Sequence, residues 1–106
     1  MTSMLGQVGF RSAPAYVAAK HGMVGLTKNA APEYGAQNIR INSVGSAFIK
    51  TPLIRGIDEK LLISLHPIGR LGMPEEVADL VLFLSSSKSS LIRGGYFAID
   101  GGHLAQ

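Results

Sequence analysis

The sequence is 106 residues long, 46% hydrophobic and 16% charged, a balance that suits a folded chain and excludes a disordered one. It contains no cysteine, which rules out disulfides and thiolate metal sites. Ten Lys and Arg against seven Asp and Glu leave a formal charge of +3, but the basic residues fall singly, without the stripe or stacking aromatics that nucleic-acid recognition uses. No apolar run approaches the ~20 residues needed to span a bilayer, and the opening Met1-Thr2-Ser3-Met4 lacks the charged start and apolar core of a secretion signal. The expectation is a soluble, cytoplasmic protein without nucleic-acid or membrane partners.

Residues 1–12 are rich in Gly and Ser and read as a loop. A helix is predicted from Ala13 to about Tyr34, with Pro14 in its first turn and Ser12 as its cap. Gly22 and Gly25 cost that helix about 1 kcal/mol each, so a closely approaching neighbour is expected beside them. Gly35 suits its C-terminal end. Residues Ile39-Arg40-Ile41-Asn42-Ser43-Val44 alternate and include β-branched side chains, which predicts a strand.

Gly45 to Thr51 then forms a loop, and Pro52 to about Ser64 an amphipathic helix ended by His66-Pro67 and Gly69-Arg70-Leu71-Gly72. A further helix is predicted from Pro74 through Leu84, with Glu75 and Glu76 near the positive end of its dipole. After a polar loop from Ser85 to Ser90, Tyr96-Phe97-Ala98-Ile99 reads as a buried strand closed by Asp100-Gly101-Gly102. There is no linker, so residues 1–106 form one unit. The order helix, strand, helix, strand points to an α/β fold in which parallel strands are joined by crossover helices. Two strands alone make a poor sheet, so this reads as part of a larger one.

Tyr16 and Lys20 lie four residues apart, on one face of the first helix. A phenol is a weak acid–base catalyst at neutral pH, and a neighbouring ammonium favours its ionised form. Spacing alone makes this pair a common accident, but its surroundings are specific. Ser3 precedes Tyr16 by thirteen residues, and the block Pro14-Ala15-Tyr16-Val17-Ala18-Ala19-Lys20-His21-Gly22 follows a Gly-containing loop. Then come Leu26-Thr27-Lys28, Glu33-Tyr34-Gly35, Ile39 to Val44, Gly69-Arg70-Leu71-Gly72-Met73-Pro74-Glu75-Glu76-Val77-Ala78 and the closing Asp100-Gly101-Gly102. In this order and spacing the sequence resembles the C-terminal half of the short-chain dehydrogenases/reductases, from Ser3 to its end.

The resemblance implies the C-terminal part of a doubly wound, Rossmann-type parallel sheet, incomplete here. It also implies an oxidoreductase that uses NAD or NADP to interconvert a secondary alcohol and a ketone by hydride transfer. Tyr16 would be the acid/base, Lys20 would hold the nicotinamide ribose hydroxyls, and Ser3 would orient the substrate oxygen. The segment containing Ser46, Ala47, Ile49 and Thr51 would meet the nicotinamide. Homo-oligomers are the family's habit. The apolar residues Leu53, Ile54, Ile57, Leu61, Leu62 and Leu65 would shape the substrate site. No metal role is expected, because His21, His66 and His103 lack ligand spacing and read as packing or surface residues. Asp100 is expected to end a strand or meet a neighbouring subunit, and Glu75 and Glu76 to start a helix.

Three features depart from the family pattern. No G-x-x-x-G-x-G turn occurs, so the strand–turn–helix that cradles the pyrophosphate is expected to be missing, along with the strand that presents the serine and an upstream active-site Asn. Ser46-Ala47 stands where Pro-Gly is usual, which would strain the chain if Ala47 adopted a left-handed backbone. Pro32 falls inside the first helix, where it is expected to end or kink the helix before Glu33. The alternatives to an enzyme are a non-catalytic remnant acting as an interaction module, or a coding sequence that continues upstream.

Overall fold

A computed structural model describes all residues, 1–106, as a three-stranded parallel sheet with helices packed against it. The strands are β1 (Thr2–Ser3), β2 (Ser43–Ser46) and β3 (Tyr96–Ile99), in the order β1-β2-β3. Thr2 and Ser3 pair with Gly45 and Ser46, while Ser43 to Ser46 pair in register with Tyr96 to Ile99. The helices are α1 (Pro14–Gly35), α2 (Glu59–Ser64) and α3 (Pro74–Ser85).

The α/β architecture is as expected, but residues 1–12 are more than a loop. Thr2 and Ser3 add a third strand, and Met4–Gly6 follow as a 3-10 turn with Met4 only 2% exposed. The strand that presents Ser3 is therefore present as a two-residue stub. Its hold on α1 comes from the Thr2 hydroxyl, which donates to the Lys20 carbonyl over 3.1 Å. Gly6 permits this approach, since a Cβ there would lie 2.9 Å from the Lys20 oxygen and 3.0 Å from Val24.

Helix α1 begins at Pro14, but Ser12 does not cap it. Ser12 has φ +65°, and the capping position belongs to Ala13, which contributes no side-chain bond. Pro32 does not end the helix, which runs on to Gly35. Pro32 is exposed, so the Lys28 carbonyl that loses its partner lies on the wet side of the helix. The left-handed residue after the helix is Asn38 (φ +59°), not Gly35. Gly22 and Gly25 have no neighbour within 4 Å of where a Cβ would stand, so the expected close approach is made at Gly6 instead.

The second strand begins four residues later than its sequence pattern suggests and ends at Ser46 rather than Val44. Residues 39–42 are occupied with the turn after α3 rather than with the sheet ladder. The Arg40 guanidinium donates to the carbonyls of Leu84, Ser86 and Ser89 and to the Ser89 hydroxyl. The Asn42 amide donates to Ile92 and accepts from Gly95, and the Ile41 carbonyl accepts from Gly94. The Arg40 bonds reach the Leu84 carbonyl in the last turn of α3 and the Ser86 carbonyl just after it, both of which also accept from the Ser89 hydroxyl. They bury Ser89 to 1% exposure.

The amphipathic stretch after Pro52 is interrupted. Pro52–Ile54 form a 3-10 turn, Gly56 takes φ +83°, and α2 starts afresh where the Asp58 carboxylate accepts from the Lys60 N–H at 2.9 Å. At the start of α3, Glu76 accepts from the Met73 N–H and pairs with Arg70, confirming its place as a helix-start residue. Asp100 ends β3 and accepts from the N–H groups of Gly102 and Leu104. No helix is long and apolar enough to cross a membrane.

Candidate active site

The carboxyl ends of β1 and β2, the first turn of α1 and the segment after β2 enclose a cleft of about 510 Å³. Open crevices beyond the carboxyl ends of parallel strands are where α/β sheets usually place ligands. Ser3 from β1, Tyr16 from α1, and Ser46, Ala47, Ile49 and Thr51 from the segment beginning at the end of β2 all line it. Lys20 does not, but it stands one turn beyond Tyr16 with its ammonium 5.1 Å from the centre of the Tyr16 ring. Tyr16 is 48% exposed, so its phenol is open to a ligand, whereas Ser3 is 8% exposed.

Ser3 is held from both sides. Its Oγ accepts from the Leu5 N–H at 3.2 Å, which leaves the O–H free to donate into the cleft. Its carbonyl accepts from the Tyr96 hydroxyl at 3.1 Å. To reach it, the Tyr96 side chain crosses beneath β2 at Gly45, where a Cβ would stand 2.1 Å from the hydroxyl oxygen. Burial, and secondarily the charge of Asp100, push the Tyr96 phenol above its usual range, so it stays a donor.

Ala47 has no left-handed backbone, so the departure from Pro-Gly carries no strain of that kind. Its N–H donates to the Ile99 carbonyl at 3.0 Å, which fixes the segment to the end of β3. The far wall is apolar, built from Leu53, Ile54 and Ile57 with Met4, Leu5 and Phe48. Of the six apolar residues singled out from the sequence, Leu61, Leu62 and Leu65 lie elsewhere. Leu62 is instead a core residue at 4% exposure, and Leu61 is 56% exposed.

Sequence reasoning missed Tyr96, His66 and the contribution of Pro74 and Val77 to the wall. Tyr96 pairs with Ser43 and reaches along β2 to Gly45, so no local signal in the sequence pointed to it. His66 is buried, with its Nδ1 at 2.8 Å from the Leu62 carbonyl, and His103 Nδ1 lies 2.6 Å from the Leu65 carbonyl. Both histidines thus satisfy carbonyls at the C-terminal end of α2.

With this geometry in view, the relationship to known proteins is direct. The family model described as enoyl-(acyl carrier protein) reductase matches residues 1–103. The chain belongs to the short-chain dehydrogenases/reductases. It is 50% identical to cyclohexanol dehydrogenase of Acinetobacter sp. (strain SE19) over 104 residues, covering 98% of this chain and 41% of that protein.

Among solved structures, a short-chain dehydrogenase family protein from Francisella tularensis superposes with a TM-score of 0.94 at 31% identity, over 99% of this chain and 49% of the other. ElxO with NADP bound gives 0.93 at 35% identity, over 99% and 45%. The chain therefore spans less than half the length of each of these family members.

Proposed function

We propose that the chain carries the alcohol/ketone site of a nicotinamide-dependent oxidoreductase, interconverting a secondary alcohol and a ketone. The observation that carries this reading is the meeting of Ser3, Tyr16 and the 46–51 segment on one apolar cleft, with Lys20 beside Tyr16. The Ser3 hydroxyl would donate to the substrate oxygen and fix its orientation. The Tyr16 phenol would pass a proton to that oxygen on reduction and take it back on oxidation. The apolar wall would exclude water and receive the carbon skeleton. Relatives such as cyclohexanol dehydrogenase act on an alicyclic alcohol by name, which suits this wall.

NAD or NADP fits the residues present in part. Lys20 would hold the nicotinamide ribose hydroxyls, and Ser46, Ala47, the backbone of Ile49 and the Thr51 hydroxyl would meet the nicotinamide end. No Gly-rich turn of the G-x-x-x-G-x-G kind occurs in the sequence to cradle a pyrophosphate. The cofactor supplies the hydride chemistry, while the chain aligns the substrate and handles the proton.

Titration of NADH and NADPH into the purified chain, followed by nicotinamide fluorescence, tests the reading. Saturable enhancement that Lys20→Ala abolishes is the expected result. A second reading, a non-catalytic interaction module, is favoured by the exposed Leu26 and Leu82, at 65% and 70%. Self-association without nicotinamide binding in a folded chain would select it.

A further inference from the structure

We propose that His66 is a positioning residue for the cleft, a neutral imidazole that clamps the Phe48 backbone, and with it the cleft wall, onto the end of α2. Three amides of the segment leaving β2 find internal partners. The Ala47 N–H donates to Ile99 and the Lys50 N–H to Gly72, both backbone carbonyls. The Phe48 N–H between them has a side-chain acceptor instead, His66 Nε2 at 3.2 Å.

The other ring nitrogen faces a carbonyl, that of Leu62 at 2.8 Å, and can only donate to it. The two partners therefore fix the tautomer, with hydrogen on Nδ1 and a bare lone pair on Nε2. His66 is 4% exposed, so its ring nitrogens depend on these two partners rather than on water. The Phe48 ring closes over the imidazole edge-on, with ring centres 5.8 Å apart, and also forms part of the cleft wall. The His103 ring lies 6.5 Å away, and Arg70, Glu76 and Asp100 share the small cavity on which His66 opens.

This clamp joins the two parts that shape the site. Ala47 and Ile49, on either side of Phe48, are candidate nicotinamide contacts, and α2 follows the segment bearing Leu53, Ile54 and Ile57. An apolar replacement of the same shape takes away the acceptor of the Phe48 N–H and frees the segment to shift. A glutamine can in principle offer both a carbonyl to Phe48 and an amide to Leu62. The clamp itself stands on these bonds, and its consequence for ligand binding rests on the oxidoreductase reading.

The test uses the full chain labelled with ¹⁵N. Two-bond proton–nitrogen correlation should show the Nδ1–H tautomer for His66, and an Nε2–H tautomer would overturn the proposal. The Phe48 amide should exchange at least about tenfold faster in His66→Phe than in wild type, since a tenfold change corresponds to about 1.4 kcal/mol, typical of one buried hydrogen bond. His66→Gln should restore most of that protection, and NADH affinity should follow the same order. Unchanged exchange in His66→Phe, or lost protection with unchanged NADH affinity, would overturn it. If His66→Phe does not fold, the tautomer and His66→Gln decide the matter. Wild type that binds no NADH yet shows the exchange pattern would sink the oxidoreductase reading and leave the clamp supported.

Discussion

The two sides of the molecule are held together very differently. On the side away from Ser3, Tyr16 and Lys20, backbone ends are satisfied by side chains, of which His66 is buried. There His66 and His103 close α2, Asp100 closes the chain after β3, and Arg40 closes α3. The side carrying Ser3, Tyr16 and Lys20 is held mainly by packing, with Met4 and Leu5 buried after β1 and Val24, Thr27 and Ala31 buried along α1. The Thr2–Lys20 and Tyr96–Ser3 hydrogen bonds and the close approach at Gly6 add to that packing. The outer face of α1 is bare around Gly22 and Gly25. The first side is thus shaped by side-chain hydrogen bonds to backbone ends, whereas the candidate reacting groups are placed by close packing. Substitutions that disturb that packing should affect the site more than losses from the hydrogen-bonded ends.

Gly45→Ala should have the largest effect, because its Cβ would collide with the Tyr96 ring and hydroxyl and force the β2–β3 seam apart. A loss of about 3 kcal/mol is expected, at the upper end of ordinary overpacking, and denaturant melts would measure it. The double variant Gly45→Ala/Tyr96→Val should recover much of that loss, and no recovery would mean the clash lies elsewhere. Arg40→Met should cost about 2 kcal/mol, the scale of hydrogen bonds from a charged donor, through its lost bonds to Leu84, Ser86 and Ser89, while leaving ligand binding in the cleft unchanged. A binding defect in that variant would erase the contrast between the two sides.

Tyr96→Phe should cost about 1 kcal/mol, the worth of one partly buried hydrogen bond. Its signature is more informative than its size. Any defect in turnover should vanish in a Ser3→Ala background if Tyr96 acts through Ser3. The Tyr96 phenol is raised above its usual range, so its contribution is present below about pH 10, the unfolded value. It is lost as pH rises through the folded value. Alkaline melts of wild type should therefore fall more steeply than those of Tyr96→Phe.

The smallest effect belongs to Glu76, whose carboxyl is held at about 2 by the Arg70 hydrogen bond and then by the Met73 N–H. Its folded value lies below the ordinary 4.5, so its contribution is complete above that pH and disappears as pH falls toward 2. Both partners are exposed, with side-chain accessibilities of 49% and 41%, so the loss should be slight. Melting temperatures between pH 5 and pH 2 should decline less for Glu76→Gln than for wild type.

Much of this was legible in the sequence where local chemistry decides. Pro14 and Pro74 mark the starts of α1 and α3, and Tyr96 to Ile99 form β3 as their pattern implies. The blocks around Tyr16 and Gly69 to Ala78 identify the family without reference to structure. What was not legible depends on partners distant in sequence. The β-rich pattern of 39–42 is overridden because Arg40 and Asn42 serve the turn after α3, more than 40 residues away. Thr2 and Ser3 read as loop because two residues carry no periodicity, and only pairing with Gly45 and Ser46 makes them a strand. Pro32 was expected to break a helix whose exposed side tolerates it. For the site, the family resemblance singled out Ser3, Tyr16 and the 46–51 segment, and these line one cleft. Tyr96 and His66 stayed hidden because their parts are set by what they touch.

The measurement that bears most directly on the central claim is cofactor turnover by the purified chain, wild type against Tyr16→Phe. It would follow alcohol-dependent formation of NADH or NADPH by absorbance, with cyclohexanol as the first substrate. The account predicts measurable turnover that falls about 100-fold or more in Tyr16→Phe, the scale of a lost acid–base group, with the fold intact. Equal rates in the two proteins, or no turnover by a folded wild-type chain that is given both cofactors, would contradict it.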